Sequence, residues 1–160
     1  MKTESVLERM FKAGHLAVTS ECGPPRGAQP EKVREKAEML RGCVDAVNVT
    51  DNQTAMVRMS SLTACIVIRQ MGLHPVLQMV TRDRNRLALQ SDLLGAYAFD
   101  INTMLCLSGD HPHFGDHPMA ANVYDLDSVQ LIQKVRAMRE QGVLQGGQPI
   151  ANPPKMLIGA

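Results

Sequence analysis

The sequence predicts an α/β fold built on a parallel sheet, and three observations predict it. Apolar, β-branched runs alternate with amphipathic runs along the whole chain. The first three apolar runs begin at His15, Asp45 and Pro75, about thirty residues apart, the length of one βα unit. These runs show little period-two alternation, as strands do when helices cover the sheet.

Taken in order, Ser5–Ala13 reads as a helix ahead of the first strand. His15–Glu21 (HLAVTSE) is strand-like and ends at a Gly-Pro-Pro break. Pro30–Arg41 is a helix with Pro at its first position, Val33, Ala37 and Leu40 at helical spacing, and Gly42 as its stop. Asp45–Thr50 is the next strand. Ser60 or Ser61 caps a helix to about Met71, which Gly72 ends. Pro75–Thr81 is a third strand. Asn85–Ala98 is a helix with Leu87, Leu94 and its alanines on one side. Thr103–Ser108 is a fourth strand. Asp127 caps a helix to Gln141, ended by Gly142, and Lys155–Ala160 is a fifth strand.

Two architectures accommodate five such units in one domain spanning residues 1–160. One is a five-stranded doubly wound sheet, a natural size for this length. The other is a partial (β/α)₈ TIM barrel, since a full one takes about 250 residues. The sequence stops on a strand, with no helix to cover it, and this favours the partial barrel.

Composition narrows the function. The chain has 160 residues, 44% hydrophobic and 21% charged, the profile of a soluble globular protein. Lys and Arg total 17 against 16 Asp and Glu, so the net charge of +1 leaves no electrostatic footprint for nucleic acid or membrane. Two Tyr, three Phe and no Trp offer few stacking platforms. The longest apolar run, around Ala64–Ile68, falls far short of the ~20 residues that span a bilayer. The start of the sequence is polar and amphipathic, unlike a signal peptide. Cys22, Cys43, Cys65 and Cys106 form no C-x-x-C pair and sit in apolar surroundings, so they read as reduced, mostly buried thiols of a cytoplasmic protein.

Polar residues collect where the strands end. Glu21 ends the first; Asn48, Thr50, Asp51 and Asn52 the second; Gln78, Thr81, Arg82 and Asp83 the third; Ser108, Gly109, Asp110 and His111 the fourth. In both architectures this rim is where ligands bind.

Each motif has two readings. Glu21 is either a solvated carboxylate before a turn or a half-buried group on the rim, where a raised pKa suits a general acid. Ser108-Gly109-Asp110 is either a plain turn or a place where a ligand meets the backbone and an acceptor carboxylate. Asp110–Pro118 (DHPHFGDHP) holds His111, His113 and His117, but its prolines and glycine make it irregular and no His pair has helical spacing. A loop folding over a ligand fits it better than a metal site. Arg82–Arg86 either grips a phosphate or begins a helix capped by Asp83 or Asn85, with its arginines in solvent; the cap is favoured. Pro24–Gly27 is a rigid turn that turns Arg26 toward the rim.

An ordered set of segments carries a family resemblance. They are Glu21 followed by PPRG (Pro24–Gly27), VNVTDN (Val47–Asn52), PVLQMVTRDRNR (Pro75–Arg86), LCLSGDHP (Leu105–Pro112) and VYDLDSVQLI (Val123–Ile132). From about Leu16 to Ala160 the chain resembles the amino-terminal part of the methylenetetrahydrofolate reductase family. The resemblance implies a (β/α)₈ barrel with a flavin, FAD or FMN, at the strand ends. It implies that Glu21 matches the general acid and Asp110 the aspartate beside flavin and folate. Thr50, Gln78, Leu107, Ser108, Gly109, Tyr124 and Asp125 match cofactor-contacting positions, with Gln78 standing where many members have His. The implied activity is reduction of 5,10-methylenetetrahydrofolate to 5-methyltetrahydrofolate by a hydride relay from NAD(P)H or another donor. Against the family pattern, three βα units are missing. The expectation is therefore a fragment, or a barrel that a homo-oligomer or companion subunit closes. The competing expectations are a non-catalytic half-barrel that pairs with a partner, and a folate-binding barrel without flavin.

Overall fold

The structure is a computed structural model and describes residues 2–160. Five strands form one sheet: β1 (Thr19–Cys22), β2 (Ala46–Val49), β3 (Pro75–Val80), β4 (Thr103–Leu107) and β5 (Leu157–Gly159). They pair in parallel in the order β1-β2-β3-β4-β5. Five helices accompany them: α1 (Val6–Lys12), α2 (Pro30–Leu40), α3 (Ser61–Gln70), α4 (Arg86–Ala98) and α5 (Ser128–Gln141).

The strand order decides between the two architectures. A doubly wound sheet reverses its order at a switch point and places helices on both faces. Here each strand adds beside the last. Right-handed crossovers then put every connecting helix on the same face, the winding of a (β/α)₈ barrel. The core agrees. Val33 and Ala37 of α2, Cys65 and Ile68 of α3, Leu89 and Leu93 of α4, and Val135 and Met138 of α5 all join one buried cluster. The strand residues in that cluster are Cys22, Val47, Val49, Leu77, Met79, Met104 and Cys106. The fold is thus α/β with a partial TIM-barrel-like sheet, and the doubly wound alternative is excluded.

The alternate strand residues occupy the inner face. Its lower half is apolar: Ala46 and Val76 pack with Leu7 of α1, and Val6, Ala17, Leu105 and Leu157 join them. Helix α1 therefore plugs the amino-terminal end of the sheet. Ser5 caps it through Leu7 N–H, and its hydroxyl also bonds the Thr103 hydroxyl at 2.7 Å. The upper half of the inner face is polar and leads to the strand ends.

Helix signals in the sequence are realised closely. Ser60 accepts from Thr63 N–H, Asn85 from Leu87 and Ala88 N–H, and Asp127 forms a capping box with Gln130. Gly142, at φ 67°, ends α5 in the left-handed conformation.

Two expectations need correction. The first strand begins at Thr19, not His15, and Leu16 is 86% exposed. The segment ahead of it is held at Val18, whose N–H donates to the Asp45 carboxylate and whose carbonyl accepts the Asp45 N–H, each at 2.8 Å. On α4 the inward face is Leu89, Leu93 and Ala96, while Leu87 is 75% exposed. Leu87 is two residues from Leu89, about 200° around the helix, and so faces away from the core.

Among the described residues no helix is long and apolar enough to cross a membrane.

Candidate functional site

The strand ends gather the polar residues by register. Glu21 lies opposite Asn48, and Gln78 opposite Leu105. Side chains alternate along a strand, and Cys22, Val49, Leu77 and Met79 point at the helices, so Glu21, Asn48 and Gln78 belong to the inner face. Asn48 donates to the Thr19 hydroxyl at 3.0 Å across the β1–β2 pair. Glu21 is exposed. Of its two readings, the half-buried one is not realised.

Thr50 comes one step beyond β2 on the same face. It is 4% exposed, and its hydroxyl has no hydrogen-bond partner among the described residues. A buried hydroxyl without a partner is costly, and the Thr81 hydroxyl at the next strand end shares that state. A Cβ at Gly23 would stand 3.6 Å from that hydroxyl, in ordinary contact.

Leu107, the last residue of β4, and Ser108 are half-buried, and Gly109 turns the chain at φ 87°. A Cβ there would stand 3.0 Å from the Val80 Cβ, so both the conformation and the close approach call for glycine. Asp110 follows, exposed, with its carboxylate Oδ2 accepting from Thr54 N–H at 3.0 Å. Tyr124, at φ 36°, donates its hydroxyl to the Gly109 carbonyl at 3.4 Å. Asp51, Asn52, Val80, Arg82 and the Leu107–Asp110 segment line an open cavity of about 360 Å³.

Asp125 stands apart from this group. Both carboxylate oxygens are taken by Arg86: Nε to Oδ2 and Nη2 to Oδ1, each at 2.7 Å, with the Arg86 N–H at 2.8 Å. These bonds hold its carboxyl down to about 2. Asp125 lines a larger notch of about 690 Å³ with Arg86, Gln90 and Gln145, over the start of α4. That notch is larger than the strand-end cavity and is lined by none of the other candidate residues.

The basic run after β3 is structural. Asn85 is the helix cap, as favoured, but Arg82 and Arg84 are not in solvent. Arg84 binds Asp51 at 2.6 and 3.2 Å and Asp92 at 3.0 Å. Arg82, 2% exposed, forks onto Asp83 at 2.7 and 2.8 Å and donates to the carbonyls of Asp110 and Asn52. Burial would raise the Asp83 carboxyl, but hydrogen bonds from Arg82 and Asn52 outweigh it and hold it below the usual range. A buried arginine with every donor group engaged does not grip a phosphate. Arg26 reaches the Met56 sulfur instead of the strand ends. Sequence reasoning missed this role of Arg82. The signal was present in the alternating charges of Arg82-Asp83-Arg84, placed directly at a strand end.

The histidine-containing loop bonds partly within itself and partly to the segment after β2. His111 accepts from His113 N–H and bonds Asn122, and the Asp116 carboxylate accepts from Val57 N–H. Among the described residues no three His, Cys, Asp or Glu side chains cluster as a metal would need. Cys22, Cys65 and Cys106 are buried free thiols; burial raises all three, Cys106 to about 12, so they stay protonated.

No curated protein matches the chain. The family model described as methylenetetrahydrofolate reductase matches residues 6–148, which takes in every strand end described above except that of β5. That family comprises oxidoreductases of folate one-carbon chemistry, generally flavin-dependent. With its parallel winding and polar strand ends in place, the chain belongs to the methylenetetrahydrofolate reductase family.

Proposed function

We propose that the chain reduces 5,10-methylenetetrahydrofolate to 5-methyltetrahydrofolate, with a flavin at the strand ends and NAD(P)H or another donor as hydride source. The observation that carries this beyond family membership is the Thr50 hydroxyl, buried and unpartnered on the face that also presents Glu21.

The residues present fit a flavin. Thr50 has a free hydroxyl for a polar edge. Leu107 offers apolar surface, and the Ser108–Gly109 backbone runs beside the cavity with no side chain at Gly109. Tyr124 steadies that backbone from outside. Gln78 supplies a carboxamide on the inner face. Asp125 acts at a distance, fixing the loop before α5 to α4 through Arg86. When bound, the flavin, FAD or FMN, supplies the hydride chemistry that no side chain can.

The chain's own part is proton transfer and electrostatics. Glu21 holds a proton for a nitrogen of the folate's methylene-bridged ring, and its transfer opens that ring to an electrophilic iminium. Asp110 places negative charge beside cofactor and folate and accepts from donors on the pterin.

The half-reactions test this reading. Glu21→Gln keeps the shape of the side chain and removes its acid. It is expected to lower folate reduction by about 10²–10⁴-fold while sparing flavin reduction by NAD(P)H. Loss of both together would give Glu21 a structural role and count against the proposal.

One observation favours a second reading. Strands β1 and β5 each bond to a neighbour on one side only. A half-barrel that pairs those edges with a second copy or a companion subunit would use the same surface for assembly. Sizing chromatography across a concentration range separates the two, since only the second reading makes assembly a condition of binding.

A further inference from the structure

Three loops meet above β3, and one buried side chain touches all of them. Arg82, on the segment after β3, donates through Nη1 to the Asp110 carbonyl at 2.8 Å. Through Nη2 it reaches the Asn52 carbonyl at 3.3 Å, and it forks onto its neighbour Asp83. Asn52 in turn donates to Asp83 at 3.3 Å. The segments after β2, β3 and β4 are thus joined by a single guanidinium. Only its planar, multi-donor shape serves three directions at once.

The segment after β2 is strained. Asn52, Thr54 and Ala55 all have positive φ, at 42°, 57° and 55°. Non-glycine residues adopt this region at a cost, and three within four positions persist only where the surroundings hold them. The turn aims the Thr54 N–H at Asp110 Oδ2. The backbone of Gly115 lies so close to Ala55 that no side chain fits there. Asp110 is therefore gripped at two points: its carbonyl by Arg82 and its Oδ2 by the strained turn. Its Oδ1 accepts no hydrogen bond among the described residues, which leaves one oxygen for a ligand.

From this juxtaposition we propose that Arg82 is the positioning residue of the site: it sets Asp110 through the Asp110 carbonyl and the Asn52 turn, and touches no substrate itself. The proposal rests on the functional reading above for its consequence, namely cofactor affinity. Its structural half is independent of that reading.

The experiment compares Arg82→Met and Arg82→Lys with Arg84→Met in the full chain. It measures residue-resolved amide exchange together with titration by FAD and by FMN. Arg84 is the control because it holds the same strand ends through Asp51 without touching Asp110. Arg82→Met is expected to speed exchange at Thr54 N–H at least tenfold and to weaken flavin binding by about 10-fold or more. Arg82→Lys is expected to fall between it and the native chain, since an ammonium keeps the charge but cannot bridge three partners. Arg84→Met is expected to lower the unfolding midpoint while leaving Thr54 exchange and flavin affinity unchanged. If Arg82→Met does not fold, Arg82→Lys carries the same two readouts. Thr54 exchange at the native rate in the folded Arg82 variant overturns the proposal, as does an equal effect from Arg84→Met. Should the native chain bind neither flavin, the functional reading fails, while Thr54 exchange still decides the role of Arg82.

Discussion

The carboxylate of Asp51, at the end of β2, is held by the guanidinium of Arg84, from the segment after β3, at 2.6 and 3.2 Å. The same carboxylate accepts the Val80 N–H at 3.0 Å. Asp51 is 4% exposed, so this pair is a buried weld between neighbouring βα units. Removing Asp51 leaves Arg84 with Asp92 alone and leaves the Val80 N–H without its acceptor. Asp51→Ala is expected to cost about 3 kcal/mol, read as a lower denaturant midpoint at unchanged slope. A midpoint within error of native would contradict the weld.

The Thr50 hydroxyl makes an opposite prediction for stability and binding. Thr50→Val exchanges an unpartnered buried hydroxyl for a methyl of the same shape. Stability is expected to hold or rise by about 1 kcal/mol, because an unsatisfied group is removed. Flavin affinity is expected to fall. Thermal unfolding and flavin titration on the same preparation check both halves, and a parallel fall in the two would make Thr50 a packing residue only.

Gly109 carries both a positive φ and a tight neighbour in Val80. Gly109→Ala is expected to destabilise by about 2 kcal/mol and to displace the Ser108–Asp110 segment. The chemical shift of the Thr54 amide, bonded to Asp110, reports that displacement.

Acid sensitivity is expected at α1. The Glu8 carboxyl is held down to about 2 by hydrogen bonds from Lys12 and Thr3, assisted by the backbone N–H groups of Lys2 and Thr3. Its folded value lies below its ordinary 4.5, so its stabilisation is present above about pH 4.5 and is lost as pH falls toward 2. In a pH series of thermal unfolding, Glu8→Gln is expected to flatten the acid limb in that window. Asp125 and Glu140 are also held near 2, so the difference between variant and native chain isolates Glu8. Identical slopes would show that the Glu8 interactions do not contribute to stability.

Much of the fold was legible because the signals are local. Caps at Ser60, Asn85 and Asp127, proline at the head of α2 and glycine after α5 act within one helical turn of themselves. The strand runs and their spacing gave five βα units, but the choice between barrel and doubly wound sheets depends on strand order, which no local pattern encodes. The candidate site was legible as far as it is a row of strand ends. Arg82 and Arg84 were misread because their partners, Asp110 and Asp51, lie about 30 residues away in sequence. Charged runs resemble solvated surface until the sheet brings those partners together. The exposure of Leu87 and Leu16 was missed because Leu87 lies across α4 from the buried Leu89 and Leu16 precedes the strand it was expected to join.

The central claim is that these strand ends hold a flavin. The most direct measurement is an absorbance titration of the purified chain with FAD and with FMN, run beside sizing chromatography. The account predicts saturable binding of one of them near one per chain, with a perturbed flavin band and weakening in Thr50→Val. A chain that stays colourless with both, while still binding folate or assembling with itself, would contradict it.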